Sequence, residues 1–135
     1  MALGLTYITD TTIAADLAPT TDDTIVWAST AHTPINLGAG EWMQVANIQI
    51  AVTAPASATS DCIVHARKST DDGTTDDTEG TYLCTIPVVA SGTTVKTVSV
   101  YDFNYLDIGA ESDEATTYEL SLAIQYDGYK ITGMS

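Results

Sequence analysis

The chain has 135 residues, an apolar fraction of 44%, and 18 acidic against four basic residues, for a net charge of −14. One domain of this size buries roughly two-thirds of its unfolded surface and needs no staple to fold. The cations Arg67, Lys68, Lys96 and Lys130 are too few to displace counterions from a phosphate backbone or to hold an anionic bilayer, so neither nucleic acid nor a membrane is an expected partner.

At the start, MALGLTYITDTT has no basic n-region and no sustained apolar core, so it does not read as a secretory signal. Leu3, Leu5 and Tyr7 alternate, and residues 1–20 are expected to be either an edge strand or an arm that adds to a neighbouring subunit. Residues 21–135 are expected to be the folded body. DTIVWAS predicts a short strand, followed by a break from Pro34 to Gly40. EWMQVANIQIAV then alternates, with Trp42, Ala46, Ile48, Ile50 and Val52 on one face and Asn47 and Gln49 on the other. DCIVHAR and TYLCTIPVV predict two more strands, and TVKTVSVYDF alternates less cleanly. IGAESDEATT reads as a breaker with at most one helical turn. In TYELSLAIQY, Tyr118, Leu120, Leu122, Ile124 and Tyr126 alternate with Glu119, Ser121, Ala123 and Gln125. Short strands at this spacing, with no helical run and nothing apolar for about 18 residues, predict an all-β, single-domain antiparallel β-sandwich of jelly-roll-like form.

Folding DCIVHARK back on GTYLCTIP as a hairpin places Cys62 opposite Cys84, Val64 opposite Tyr82 and Ala66 opposite Gly80. The expected core face is Cys62, Val64, Tyr82, Cys84 and Ile86, with the two cysteines as buried free thiols. Between the strands lies KSTDDGTTDDTEGTY, where Asp71, Asp72, Asp76, Asp77 and Glu79 offer oxygen ligands for calcium. Their spacing fits neither an EF-hand nor a calcium-binding nonapeptide repeat, so the expectation is a solvated loop and no cofactor.

Catalytic groupings are not legible. His32 and His65 are 33 residues apart and lack zinc-ligand spacing. No G-x-S-x-G elbow occurs, and LGAGEW lacks the third glycine of a dinucleotide fingerprint. The paired carboxylates, among them Asp22–Asp23 and Asp113–Glu114, sit in polar segments where they stay ionised. The chain is therefore expected not to be an enzyme. Trp42, Tyr118 and Tyr126 follow core faces, whereas YDFNYLD and YDGYK lie at strand ends and are the candidates for exposed rings.

A Met-initiated β protein rich in Thr and Asp and poor in Lys, with YELSLAIQY as a late strand and a short DGYKITGMS tail, resembles the capsid decoration (cement) proteins of tailed phages. That resemblance implies a β-sandwich or jelly-roll body bound through the major capsid protein to the capsid exterior, often as a homotrimer, in a virion made in the host cytoplasm. It carries no residue over by position. Leu3, Leu5 and Tyr7, with Tyr101, Phe103 and Tyr105, are the residues expected to contact subunit neighbours or the capsid. Two other readings stand beside it: a carbohydrate-binding or calcium-dependent β-sandwich module, and a tail or head–tail completion protein.

Overall fold

The structure is a computed structural model that describes residues 4–19, 24–37, 40–56, 61–69, 80–112 and 120–132. Among the described residues, nine strands and one short helix follow in order: β1 (Gly4–Leu17), β2 (Val26–Trp27), α1 (Ala28–Ala31), β3 (Ile35–Asn36), β4 (Glu41–Thr53), β5 (Cys62–Ser69), β6 (Thr81–Ile86), β7 (Thr93–Phe103), β8 (Tyr105–Ser112) and β9 (Ser121–Thr132). One sheet has the order β1-β9-β4-β7; the other runs β2-β8-β5-β6, with β3 also paired to β8. Every pairing is antiparallel. β2 and β3 lie one after the other along β8 and act as one strand interrupted by α1. Counted so, eight strands form two four-stranded layers, a jelly-roll-like β-sandwich.

The period-two pattern explains the core. Ala46, Ile48, Ile50 and Val52 of β4 and Leu122, Ile124 and Tyr126 of β9 turn inward, against Val64 of β5 and Ile108 and Ala110 of β8. Burying one such aliphatic side chain contributes about 1.5–3 kcal/mol.

Three expectations are corrected. Trp42 does not belong to the core face of β4; it is half-buried, and Met43 is buried in its stead. A register shift between Met43 and Val45 against β9 is the cause, since one extra residue reverses the phase of every side chain before it. The second correction concerns the β5–β6 hairpin. Cys62 faces Ile86 and Cys84 faces Val64, while a shift between Val64 and His65 sets Tyr82 beside His65. Tyr82 is thus 60% exposed and outside the core, although Cys62, Val64, Cys84 and Ile86 are buried as expected. Thirdly, the stretch read as the breaker IGAESDEATT begins inside β8, a strand bonded to β2, β3 and β5. Asp107 and Gly109 disguise it, because both residue types are depleted in strands. Gly109 is required there. A methyl group on it would lie 2.5 Å from Ile25 Cγ2 and 2.7 Å from Trp27 Cε3.

Trp27 crosses β8 over Gly109 and also meets Gly80, where a Cβ would come within 2.5 Å of its ring and where φ is +82°. Arg67 stacks on the same ring at 4.1 Å. Its guanidinium donates to Asp107 Oδ2 from Nε at 3.1 Å and from Nη2 at 2.9 Å. Asp107 also accepts from the backbone N–H of Ser29 at 3.0 Å, and so ties α1 to the sheet. This charge pair is a clamp that holds the broken edge strand onto β8.

Candidate functional site

The outward face of the sheet β1-β9-β4-β7 gathers most of the exposed rings and amides. Strand pairing sets it out in rows. Tyr7 pairs with Tyr129, Tyr129 with Val45, and Val45 with Tyr101, so one row crosses all four strands. At strand spacings of about 4.8 Å that row is roughly 14 Å long. Leu5, Ile131 and Trp42 form a shorter row beside it. On the other side come Asp127, Asn47 and Ser99, then Thr12, Gln125, Gln49 and Thr97, and then Ala123, Ala51 and Val95.

The rings are close and accessible. Tyr7 and Tyr129 have centroids 5.1 Å apart and planes tilted by 51°, an arrangement favoured by the ring quadrupoles. Leu5 is 63% exposed, Tyr7 50%, Tyr101 57% and Tyr129 43%. Desolvation among its neighbours, followed by the charge of Asp127 and a hydrogen bond with it, pushes the Tyr7 phenol up. The polar rows are cross-linked. Ser99 Oγ donates to Asn47 Oδ1 at 2.8 Å, Asn47 Nδ2 donates to Asp127 Oδ1 at 3.1 Å, and Gln125 Nε2 donates to Gln49 Oε1 at 2.5 Å. These bonds fix the side chains across β7, β4 and β9. A cleft of about 270 Å³ opens over them, lined in part by Asp10, Asn47, Gln49, Thr97, Gln125 and Asp127. A second hollow of about 330 Å³ shares Gln49 and Gln125 and is floored by Ala15, Ala51 and Ala123.

The structure therefore brings Leu5, Tyr7 and Tyr101 onto one face with Tyr129, a ring of the YDGYK stretch expected to be exposed, and adds Trp42 and Ile131, which were not among the interface candidates. Phe103 is corrected: it is fully buried in the core and offers nothing to a partner. Tyr105 is half-buried on β8 of the opposite sheet, paired with Asn36 and Ser69, and takes no part in the face. Leu3, Tyr118 and the acidic residues Asp71, Asp72, Asp76, Asp77 and Glu79 lie outside the described residues. The signal for the amide rows was present in the sequence: Asn47, Gln49 and Gln125 share the polar phase of two predicted strands. What it lacked was the register that sets them side by side.

Other groups with chemistry are placed as follows. Among the described residues no three His, Cys, Asp or Glu side chains come together as a metal site would need. His65 Nε2 is 3.3 Å from Glu111 Oε1, the distance of an ion pair when the imidazole is protonated, but without the alignment of a hydrogen bond. His32 follows α1, its backbone N–H donating to Ala28 O. Both cysteines are buried free thiols. Burial, followed by the proximity of Cys84 and then Glu111, pushes the Cys62 thiol up to about 12; burial raises Cys84 as well, against a smaller opposing pull from Lys96.

A pH dependence follows. The folded chain keeps a proton on Cys62 that the unfolded chain releases above the ordinary value of 9.0, so folding binds protons in that window. Stability is expected to be insensitive to this group below pH 9.0 and to fall as pH rises from there towards about 12. Urea midpoints measured through this range check it, and the Cys62→Ala variant should show a shallower fall than the parent chain.

Fold and face together define a jelly-roll-like β-sandwich with a row of exposed rings across one sheet. No family model matches the chain, and no curated protein matches it in sequence. In three dimensions it is similar to a chain of the Cowpea mosaic virus top component, naturally occurring empty particles, with a TM-score of 0.50 and 10% identity over 93% of this chain and 91% of that one. Looser likenesses are to infectious bursal disease virus, Gx strain (TM-score 0.43, 10% identity, 98% of this chain and 32% of that one), and to the CBM22-1 xylan-binding domain of Paenibacillus barcinonensis Xyn10C (TM-score 0.43, 15% identity, 98% and 87%). At 10% identity the first of these shows a shared fold.

Proposed function

We propose that the chain is a non-catalytic structural protein of a virion, one that decorates the capsid exterior of a tailed phage by binding its major capsid protein, as a homotrimer. The observation that carries this reading is the exposed row of Tyr7, Tyr129, Val45 and Tyr101 with Leu5 beside it. A contiguous apolar surface rich in tyrosine, on an otherwise strongly acidic protein, is the mark of a protein interface. Its rigid sheet base limits the ordering that docking demands. The fold shared with a chain of a virus particle supports the same reading. So does the net charge of −14, which keeps such a coat from adhering to nucleic acid. Contacts of modest strength, repeated over a symmetric shell, add up through multivalency.

Particles assembled with the Tyr7→Ser/Tyr101→Ser double variant are expected to carry fewer copies of the protein than particles made with the parent chain. They should also release their DNA at a lower temperature, as should particles lacking the protein altogether. Copy number by quantitative mass spectrometry and DNA release by dye fluorescence on heating give the two readouts. Equal copy number in parent and variant particles, with equal heat stability across all three preparations, would contradict the proposal.

A further inference from the structure

The tyrosine rows leave the middle of the same sheet face unused, and there the cleft over Asn47, Gln49, Gln125 and Asp127 has a chemistry of its own. The geometry points to a binding site for a neutral glycan chain in this cleft, a function beyond capsid docking that shares only the Tyr7–Tyr129 ring pair with it.

Four observations carry the inference. First, the lining pairs donors with acceptors. The Gln49 and Gln125 amides, joined by one bond from Gln125 Nε2 to Gln49 Oε1, together carry both donors and acceptors. Asp127, whose Oδ1 accepts from Asn47 Nδ2, adds a carboxylate acceptor to the lining. A sugar hydroxyl both donates and accepts, so adjacent hydroxyls on a pyranose match such pairs. Second, the side chains are held in place by bonds to one another before any ligand arrives, which lowers the entropy lost on binding. Third, the Tyr7–Tyr129 ring pair lies in the row next to Asp127 and Asn47 on the same face; it offers an apolar surface to the C–H face of a sugar ring. Fourth, the cleft continues past Gln49 and Gln125 into the hollow floored by Ala15, Ala51 and Ala123. Small side chains there leave room for an extended chain and not only for one ring.

Charge selects among glycans. Asp10 and Asp127 line the cleft with carboxylates and repel uronates, sulfates and phosphates, so the ligand is uncharged. The first cleft, about 270 Å³, is at the lower end of small-molecule sites, which run from roughly 300 Å³ upward. It suits one sugar unit, with neighbouring units lying along the alanine floor.

Titration calorimetry of the full chain with cellohexaose, xylohexaose and mannohexaose, and with oligogalacturonate as the anionic control, tests this. At least one neutral oligosaccharide is expected to bind while oligogalacturonate does not. The Gln49→Ala/Gln125→Ala double variant should lose affinity at least about tenfold with an unchanged melting temperature. Ala123→Tyr, which fills the exposed floor while keeping both glutamines, should weaken binding as well and serves if the double variant is unstable. Absence of heat with all three neutral probes would overturn the inference. Equal binding of oligogalacturonate, or full affinity in both variants, would do the same.

Discussion

Asp107→Ala is expected to destabilise the protein by about 3–5 kcal/mol, the usual result of breaking one side of a buried charge pair. The Asp107 side chain is wholly buried, while the Arg67 side chain is 19% exposed. Removing the carboxylate takes away both guanidinium bonds to Asp107 and the acceptor of the Ser29 N–H at once, leaving the bond from Arg67 Nη2 to Ser29 Oγ. Arg67 would remain stacked on Trp27 in a place from which its counter-charge had gone. The damage should concentrate on α1 and β2, because two residues of pairing to β8 hold that edge little without the clamp. Urea denaturation at neutral pH, with the midpoint falling and the slope unchanged, is the direct measurement. Asp107→Asn, which keeps the shape and part of the bonding, should lose less than half as much. A loss below about 1 kcal/mol for Asp107→Ala would place the pair with ordinary surface salt bridges and refute its role as a clamp.

Gly128→Ala is the second substitution with a large expected effect. Gly128 lies in β9 between Ile8 of β1 and Ala46 of β4, beside the point where the β4 register shifts. A methyl group there would overlap the carbonyl oxygen of Val45 and sit 3.0 Å from the Ala46 Cα. Both are backbone atoms within a ladder bonded on two sides, so no side-chain rotation relieves the overlap. A loss of about 3 kcal/mol, at the upper end for overpacking, corresponds to a fall in Tm on the order of 10 °C for a domain of this length. Because Val45 and Tyr129 are the central members of the aromatic row, the variant should also dock and stack less well than its residual stability alone implies. A melting temperature within about 2 °C of the parent would show that β4 and β9 can part without penalty.

The architecture was largely legible because its main signal, alternation, is local. The runs around Ile48 and Ile124 have one buried face, and their side chains announce it. What escaped was every feature set by a partner distant in sequence. β8 hid because Asp107 and Gly109 look like turn residues until Arg67 and Trp27 are laid against them. Trp42 changed faces because a register shift against β9 is not visible in β4 by itself. Tyr82 did the same for the shift opposite His65. Phe103 lies between Tyr101 and Tyr105 in sequence, yet the left-handed turn at Asp102, with φ of 57°, precedes it and it packs into the core. Of the candidate face, the ingredients could be read and the assembly could not. Leu5, Tyr7 and Tyr101 were identifiable as rings and aliphatics without a core partner, but their meeting with Tyr129 depends on strand order.

That strand order has a further consequence. No two adjacent strands of the face, in the order β1-β9-β4-β7, are consecutive in the chain, so every row is stitched from segments dozens of residues apart. A synthetic fragment of this protein cannot reproduce the surface, and an antibody raised against it would recognise a discontinuous epitope. Any binding by this face is accordingly a property of the native state alone, and a direct report on how much of the population is folded.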